Sequence, residues 1–161
     1  MKNIITKTLL TLFCFVTLSI HGQNHIIVSK KDFMLYVISS NGDSLYSAPV
    51  CVGSNYGNKT KKGDKKTPEG RFVISKIHNS SKWVHDFKDG FGKRKGAYGP
   101  FFIRLKTPPF RGIGIHGTCF PESIGTRNSE GCIRLKNEDI INLRNYIRVG
   151  NICIIESDSI R

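Results

Sequence analysis

The sequence predicts a mainly β domain with one late α-helix. Two observations carry this: short segments rich in Ile, Val, Phe and Tyr recur between Gly, Asn, Asp and Lys clusters, and apolar residues fall at helical spacing only in NEDIINLRNYI, residues 137–147.

The elements follow in order. HIIVS and FMLYVIS are strands linked by KKD, and the second passes through Asn41-Gly42-Asp43 into LYSAPVCVG. Asn-Gly between apolar strands is a hairpin signal because both residues tolerate positive φ, so the chain opens as a β-meander. Residues 54–66, SNYGNKTKKGDKK, hold five lysines and no apolar periodicity, which predicts a solvated loop. TPEGRFVISKI turns at Pro68 and re-enters a strand. Residues 78–99 are polar and Gly-rich yet contain Trp83, Phe87, Phe91 and Tyr98, as expected of a lid or of a loop packed on its own domain. FFIRL and GIGIHG are strands. Asn137 is the candidate N-cap of the helix, whose apolar face is Ile140, Ile141, Leu143 and Ile147; Gly150 ends it before the last strand, ICIIE. There are no internal repeats.

Residues 1–22 read as a secretory leader. Lys2 and Lys7 precede an apolar run from Leu9 to Ile20, which is shorter than the ~20 residues that span a bilayer. Cys14 lies inside that run behind bulky Phe13, which argues against lipidation. Residues 23–161 then form one domain, with no membrane insertion expected after cleavage. The formal net charge of the whole chain is +13, and only Lys2 and Lys7 leave with the leader. Such a charge favours polyanionic partners, and export turns the expectation from nucleic acid to an anionic envelope polymer.

Cys51, Cys119, Cys132 and Cys153 remain after the leader. Cys51 and Cys153 sit in apolar runs, where a thiol behaves as a small buried hydrophobe. Cys119 and Cys132 lie in loop-like sequence. With His116 they lack the paired short spacings of a zinc site, so no metal is expected. His116 ends an apolar strand just before Gly117, and Cys132 follows Gly131, which clears one flank of the sulfur. A thiol near pKa 8.5 needs a neighbouring imidazole to become a good nucleophile at neutral pH. His116 can supply it, but spacing alone leaves catalytic and structural roles open.

The stretch IHGTCFPESIGTRNSEGCIRLKNEDI resembles the signature of the L,D-transpeptidase catalytic-domain (YkuD) family, in which His-Gly-Thr and Ser-His-Gly-Cys-Ile-Arg segments stand about a dozen residues apart. TPEG at 67–70, YGP at 98–100 and the terminal GNICIIE are similar too. The resemblance implies a β-sandwich or barrel-like catalytic domain. It makes Cys132 the nucleophile and His116 its base, taking the thiol proton or holding it as an ion pair. The Gly117 carbonyl would orient the imidazole, and N–H groups near Gly131 and Cys132 would hold the oxyanion. Ser129 and Arg134 would contact substrate. The implied reaction is acyl transfer between peptidoglycan stem peptides, forming 3→3 cross-links with release of D-alanine, without a cofactor, by a monomer in the periplasm or cell wall.

One departure matters. Glu130 stands where the family commonly has His, and a carboxylate there opposes thiolate formation unless it is paired; Arg134 is the partner expected from sequence. Cys119 is close enough in sequence to suggest a switch-like disulfide with Cys132. Two other functions fit the same residues: an L,D-carboxypeptidase that resolves the acyl-enzyme with water, and a non-enzymatic basic wall-binding module.

Overall fold

A computed structural model describes residues 22–158; apart from Gly22, the expected leader lies outside the described residues. The architecture is mainly β with one α-helix, as expected. The meander β1 (His25–Ser29), β2 (Met34–Ile38) and β3 (Ser44–Pro49) pairs antiparallel, and Gly42, at φ 92°, turns the β2–β3 hairpin. After β4 (Val52–Gly53), β5 (Gly70–Asn79) runs through the centre of the molecule. The hairpin β6 (Val84–Asp86) and β7 (Lys93–Lys95) pairs only with itself. β8 (Phe101–Lys106), β9 (Gly114–His116), β10 (Arg127–Ser129), β11 (Ile133–Arg134), α1 (Asn137–Leu143) and β12 (Ile152–Ile155) complete the chain.

Eight strands form one sheet in the order β11-β9-β8-β5-β12-β1-β2-β3, with β4 and β10 a separate parallel pair. The sheet curls until its ends meet. Just past β3, the Cys51 N–H donates to the Arg134 carbonyl of β11 and the Arg134 N–H donates back to Cys51, both at 2.9 Å. Alternate residues point inward because strand side chains alternate faces: Ile26 and Val28, Leu35 and Val37, Cys153 and Ile155 are buried and form the core with Ile74, Ile103, Ile115, Ile133 and helix residues Ile140 and Leu143. Cys153 and Cys51 are fully buried, and burial pushes the Cys153 thiol up to about 12.

Three local expectations change. The helix ends at Leu143 rather than Ile147, because the Asn145 and Tyr146 N–H groups bond three residues back and tighten the last turn. Asn137 does not cap it: the N-cap is Lys136, with no side-chain cap bond, and Asn137 Oδ1 instead accepts from the Thr118 N–H at 3.0 Å. The lysine loop is tied down rather than solvated throughout. Asp64 accepts from Lys59 Nζ at 2.6 Å and from the Thr60, Lys61 and Lys66 N–H groups, and Lys59 is buried. Buried Lys30 anchors the loop's far end, bonding Glu69 of the TPEG turn and Asp158 near the C-terminus.

Burial works against ionisation of Asp64, but the Lys59 ammonium and the backbone donors outweigh it and hold the carboxyl well below the ordinary carboxylate range. A carboxyl depressed in the folded state stabilises above its unfolded pKa of ~3.9, and that contribution is lost as pH falls toward the folded value. Asp64→Asn should therefore lower the melting temperature at pH 7 and flatten its fall between pH ~4 and pH ~2 relative to the parent. Parallel melting curves across that interval decide the point.

Candidate active site

The chain from β9 to β11 is shaped by close backbone contacts. Gly117 and Gly99 pack face to face, so that a Cβ on Gly99 would meet the Gly117 Cα at 2.6 Å, and the Asn137 carboxamide lies against both. This contact fixes the turn after His116. The histidine itself is buried, stacked on Phe102 with ring centroids 5.3 Å apart and edge-on to Tyr98 at 5.0 Å. Its Nδ1 lies 2.5 Å from the Gly117 carbonyl oxygen. A carbonyl only accepts, so Nδ1 carries the proton and Nε2 keeps a free lone pair.

The turn before β11 is built as tightly. Ser129 Oγ donates to the Cys132 carbonyl at 2.5 Å and accepts the Gly131 N–H at 3.1 Å. Gly131 sits at φ 124°, where an added Cβ would meet the Lys66 carbonyl oxygen at 2.8 Å. Only glycine fits there without strain. Ser129 is buried and spends its hydroxyl inside the turn, so it shapes the cysteine's backbone instead of reaching substrate as expected. The Gly131 N–H is likewise engaged.

Cys132 and His116 line one cavity of about 990 Å³, with Glu130 and Arg134 also on its wall. Strands β9 and β11 run parallel, with Ile133 opposite Ile115 and Arg134 opposite His116, which places the cysteine turn beside the histidine strand. The thiol lies 3.4 Å from the Gly112 carbonyl; among the described residues no hydrogen bond joins it to His116. Burial drives both groups toward their neutral forms. It pushes His116 down to about 3, against the opposing Gly117 hydrogen bond, and raises the Cys132 thiol, against the Gly114 N–H and the Arg134 guanidinium. Both shifts favour the neutral thiol and imidazole over the ion pair.

Arg134 is buried, its guanidinium over the Phe87 ring at 5.4 Å and the Phe120 ring at 6.0 Å. It is not the partner of Glu130. That role falls to His85 on β6, whose Nε2 lies 2.8 Å from Glu130 Oε2 and whose Nδ1 lies 3.0 Å from the Tyr98 hydroxyl. Residues 78–99 pack on their own domain and line the cavity. The loop folds into its own hairpin, and Trp83, His85, Phe87 and Tyr98 wall the cavity. His85 escaped the sequence reading, since a lone histidine in a polar loop gives no signal until the fold sets it against Glu130. The cavity's other wall carries Lys59, Lys62, Lys65 and Arg111.

Cys119 forms no disulfide with Cys132: both thiols are free, and Cys119 lines a separate, smaller cavity with Thr118, Pro121 and Asn137. Among the described residues no group of three or more His, Cys, Asp or Glu side chains is placed to hold a metal ion.

Residues 23–155 match the family described as the L,D-transpeptidase catalytic domain, YkuD. The chain is 31% identical over 140 residues to the Bacillus subtilis protein YqjB, covering 86% of this chain and 74% of YqjB, and 30% identical to Bacillus subtilis YkuD over 78% of this chain and 62% of YkuD; both carry the name L,D-transpeptidase. Its fold is similar to the cell-shape-determining protein Pgp2 of Campylobacter jejuni, with a TM-score of 0.64 at 23% identity, over 87% of this chain and 49% of Pgp2. It is also similar to L,D-transpeptidase 3 of Mycobacterium tuberculosis carrying a faropenem-derived adduct, with a TM-score of 0.62 at 16% identity, over 84% of this chain and 61% of that enzyme. The chain thus spans only about half to three-fifths of these solved relatives.

Gly131→Ala should cost about 1–3 kcal/mol and displace the cysteine turn, because the new methyl meets a backbone carbonyl at a positive φ. Urea unfolding measures the first effect and the rate of Cys132 alkylation the second; a variant as stable as the parent would contradict the packing described.

Proposed function

This chain belongs to the L,D-transpeptidase catalytic-domain family, YkuD, and we propose that it is a cysteine-dependent acyltransferase that cross-links peptidoglycan stem peptides. The observation that carries the proposal is the state of His116: buried, neutral, its Nδ1–H given to the Gly117 carbonyl and its Nε2 free at the wall of the cavity that holds Cys132. An imidazole held in that tautomer is a base in waiting.

The reaction follows from those groups. Rotation of the Cys132 side chain away from Gly112 brings Sγ to the scissile carbonyl of a donor tetrapeptide as His116 Nε2 takes the thiol proton. Because burial disfavours a standing imidazolium, proton transfer and attack proceed together, and the positive charge exists only while the oxyanion is there to balance it. With the Gly131 N–H committed to Ser129, the Cys132 N–H is the donor assigned to the oxyanion. Collapse breaks the amide bond, His116 returns its proton to the leaving D-alanine amine, and a thioester remains on Cys132. An amine of a second stem then attacks the thioester, its proton passing through His116 to the departing thiolate, which yields a 3→3 link and the free thiol. The bond exchanged supplies the energy, so no nucleotide is required. Arg134 favours the thiolate and an anionic donor.

Such substrates lie outside the cytoplasmic membrane. The basic and apolar start of the sequence supports export to the periplasm or wall, and the strong positive charge suits the anionic polymer found there.

Faropenem, known here as the source of an adduct on a solved relative, is a suitable reagent. The parent should gain one adduct by intact mass, absent in Cys132→Ala; no adduct on the folded parent would favour a wall-binding module. Incubation with purified tetrapeptide stems should give a cross-linked dimer and free D-alanine, whereas a tripeptide alone would identify an L,D-carboxypeptidase.

His116→Ala should lower acylation at pH 7 by roughly 10²- to 10⁴-fold, with part of the rate returning at high pH where hydroxide generates the thiolate. An equal loss at every pH, together with a lower melting temperature, would assign the histidine a structural role only.

A further inference from the structure

The cavity's charges are lopsided. Lys62, Lys65, Arg104, Arg111 and Arg134 line it against a single carboxylate, that of Glu130; Lys59, also on the wall, is paired with Asp64. A field of that sign draws in an anionic donor peptide. It repels the acceptor, whose primary amine arrives as an ammonium at neutral pH, a lysine-type amine having a pKa of ~10.4. Glu130 is the one carboxylate on the wall to attract that ammonium, and it lies two residues from the cysteine whose sulfur carries the acyl group.

We propose that Glu130, held in place by His85 and Tyr98, is the subsite that binds the acceptor's ammonium group; the ammonium releases one proton to solvent there, and the resulting free amine, losing its second proton through His116, resolves the acyl-enzyme. The proposal rests on the transpeptidase function above and assigns the half of the reaction that distinguishes transfer from hydrolysis.

The geometry suits the role. Glu130 is half exposed, at 50% of its side-chain surface, so a ligand can reach it. Left alone, so mobile a side chain would fold onto one of the surrounding cations. Instead its Oε2 takes a hydrogen bond from His85 Nε2 at 2.8 Å. A carboxylate only accepts, so the ring proton sits on Nε2, and in the neutral ring Nδ1 accepts the Tyr98 O–H at 3.0 Å. Tyr98 is in turn packed between Trp83, Phe102 and His116. One donated bond thereby fixes the carboxylate and leaves Oε1 for the ligand. His85 comes from the hairpin and Glu130 from the cysteine turn, so the subsite exists only when the hairpin lies against the turn. His85 and Tyr98 act through Glu130 and are positioning residues.

The test is a competition for one acyl-enzyme. The full chain is loaded with a tetrapeptide donor and offered a stem-peptide amine, charged at pH 7, together with hydroxylamine, uncharged at that pH; mass spectrometry gives the ratio of cross-linked dimer to hydroxamate. Glu130→Gln should lower that ratio roughly three- to ten-fold, the worth of one charge-assisted contact in a partly wet site, and Glu130→Asp should restore most of it. His85→Ala should lower the ratio in the parent and add nothing in the Glu130→Gln background. The gap between the parent and Glu130→Gln ratios should close as salt screens the carboxylate, and His85→Ala carries the same test if Glu130→Gln fails to fold. A ratio unchanged in both variants overturns the subsite while leaving the acyltransferase intact. Failure of the parent to form any acyl-enzyme overturns both.

Discussion

Two backbone hydrogen bonds, exchanged between Cys51 and Arg134, are the constraint on which the site depends. They join the region just past the outermost strand of the meander to the other end of the eight-stranded sheet, and so turn an open, curled sheet into a nearly closed wall. The seam continues on both sides. Val50 accepts from Gly125, Val52 donates to Thr126, and Ser54 donates to Ser129. A closed sheet has no edge to pair wrongly, and here the closing strand, β11, follows directly on the turn that holds Cys132. Cys132 sits between the β10 pairing and the seam, so its backbone is held from both directions by strands that are far away in sequence. This geometry explains how a turn leading into so short a strand as β11 can hold Cys132 at a fixed place.

The electrostatics of the cavity follow from that burial. Burial between Phe102 and Tyr98 disfavours a charge on His116, and desolvation raises the Cys132 thiol. Near the sulfur, Arg134 favours the thiolate and Glu130 opposes it. Binding Glu130 to His85 does not remove its charge, but it orients the carboxylate toward the hairpin. A site built this way stays unreactive until substrate brings its own developing charge, which suits an acyltransferase working in water where a free thiolate would be oxidised or spent.

Much of this was legible in the sequence. The meander, the hairpin at Asn41-Gly42, the inward alternation of the outer strands and the late helix all follow from local rules, and the His-Gly-Thr and Gly-Cys-Ile-Arg segments pointed to the family. Two of the errors, at Asn137 and at Glu130, share a cause: the side chain's partner is remote in the chain. Asn137 looked like a helix cap because capping is local, but its carboxamide serves Thr118 across the fold. Ser129 looked free for substrate until the turn it braces was in view. Arg134 was assigned to Glu130 on proximity in sequence, whereas the partner is 45 residues away, on a hairpin whose position no local pattern encodes. The lysine loop read as solvated because Asp64 gathers its donors only once the loop has closed.

That hairpin is the least tethered part of the cavity wall. β6 and β7 hydrogen-bond to each other and not to the main sheet, so what keeps them over the nucleophile is side-chain contact: Phe87 against Phe120 at 5.1 Å, Arg94 over the same ring at 5.0 Å, and His85 on Glu130. Aromatic contacts of this kind contribute about 0.5–1.5 kcal/mol each, and a hydrogen bond to a charged group about 1.5–3 kcal/mol. The sheet beneath is stitched by backbone bonds and a continuous apolar core. Phe120 belongs to the loop that follows His116, and Glu130 to the turn that precedes Cys132. The hairpin therefore rests on the segments next to both His116 and Cys132, so its seat is set by the same two turns that place the imidazole and the thiol.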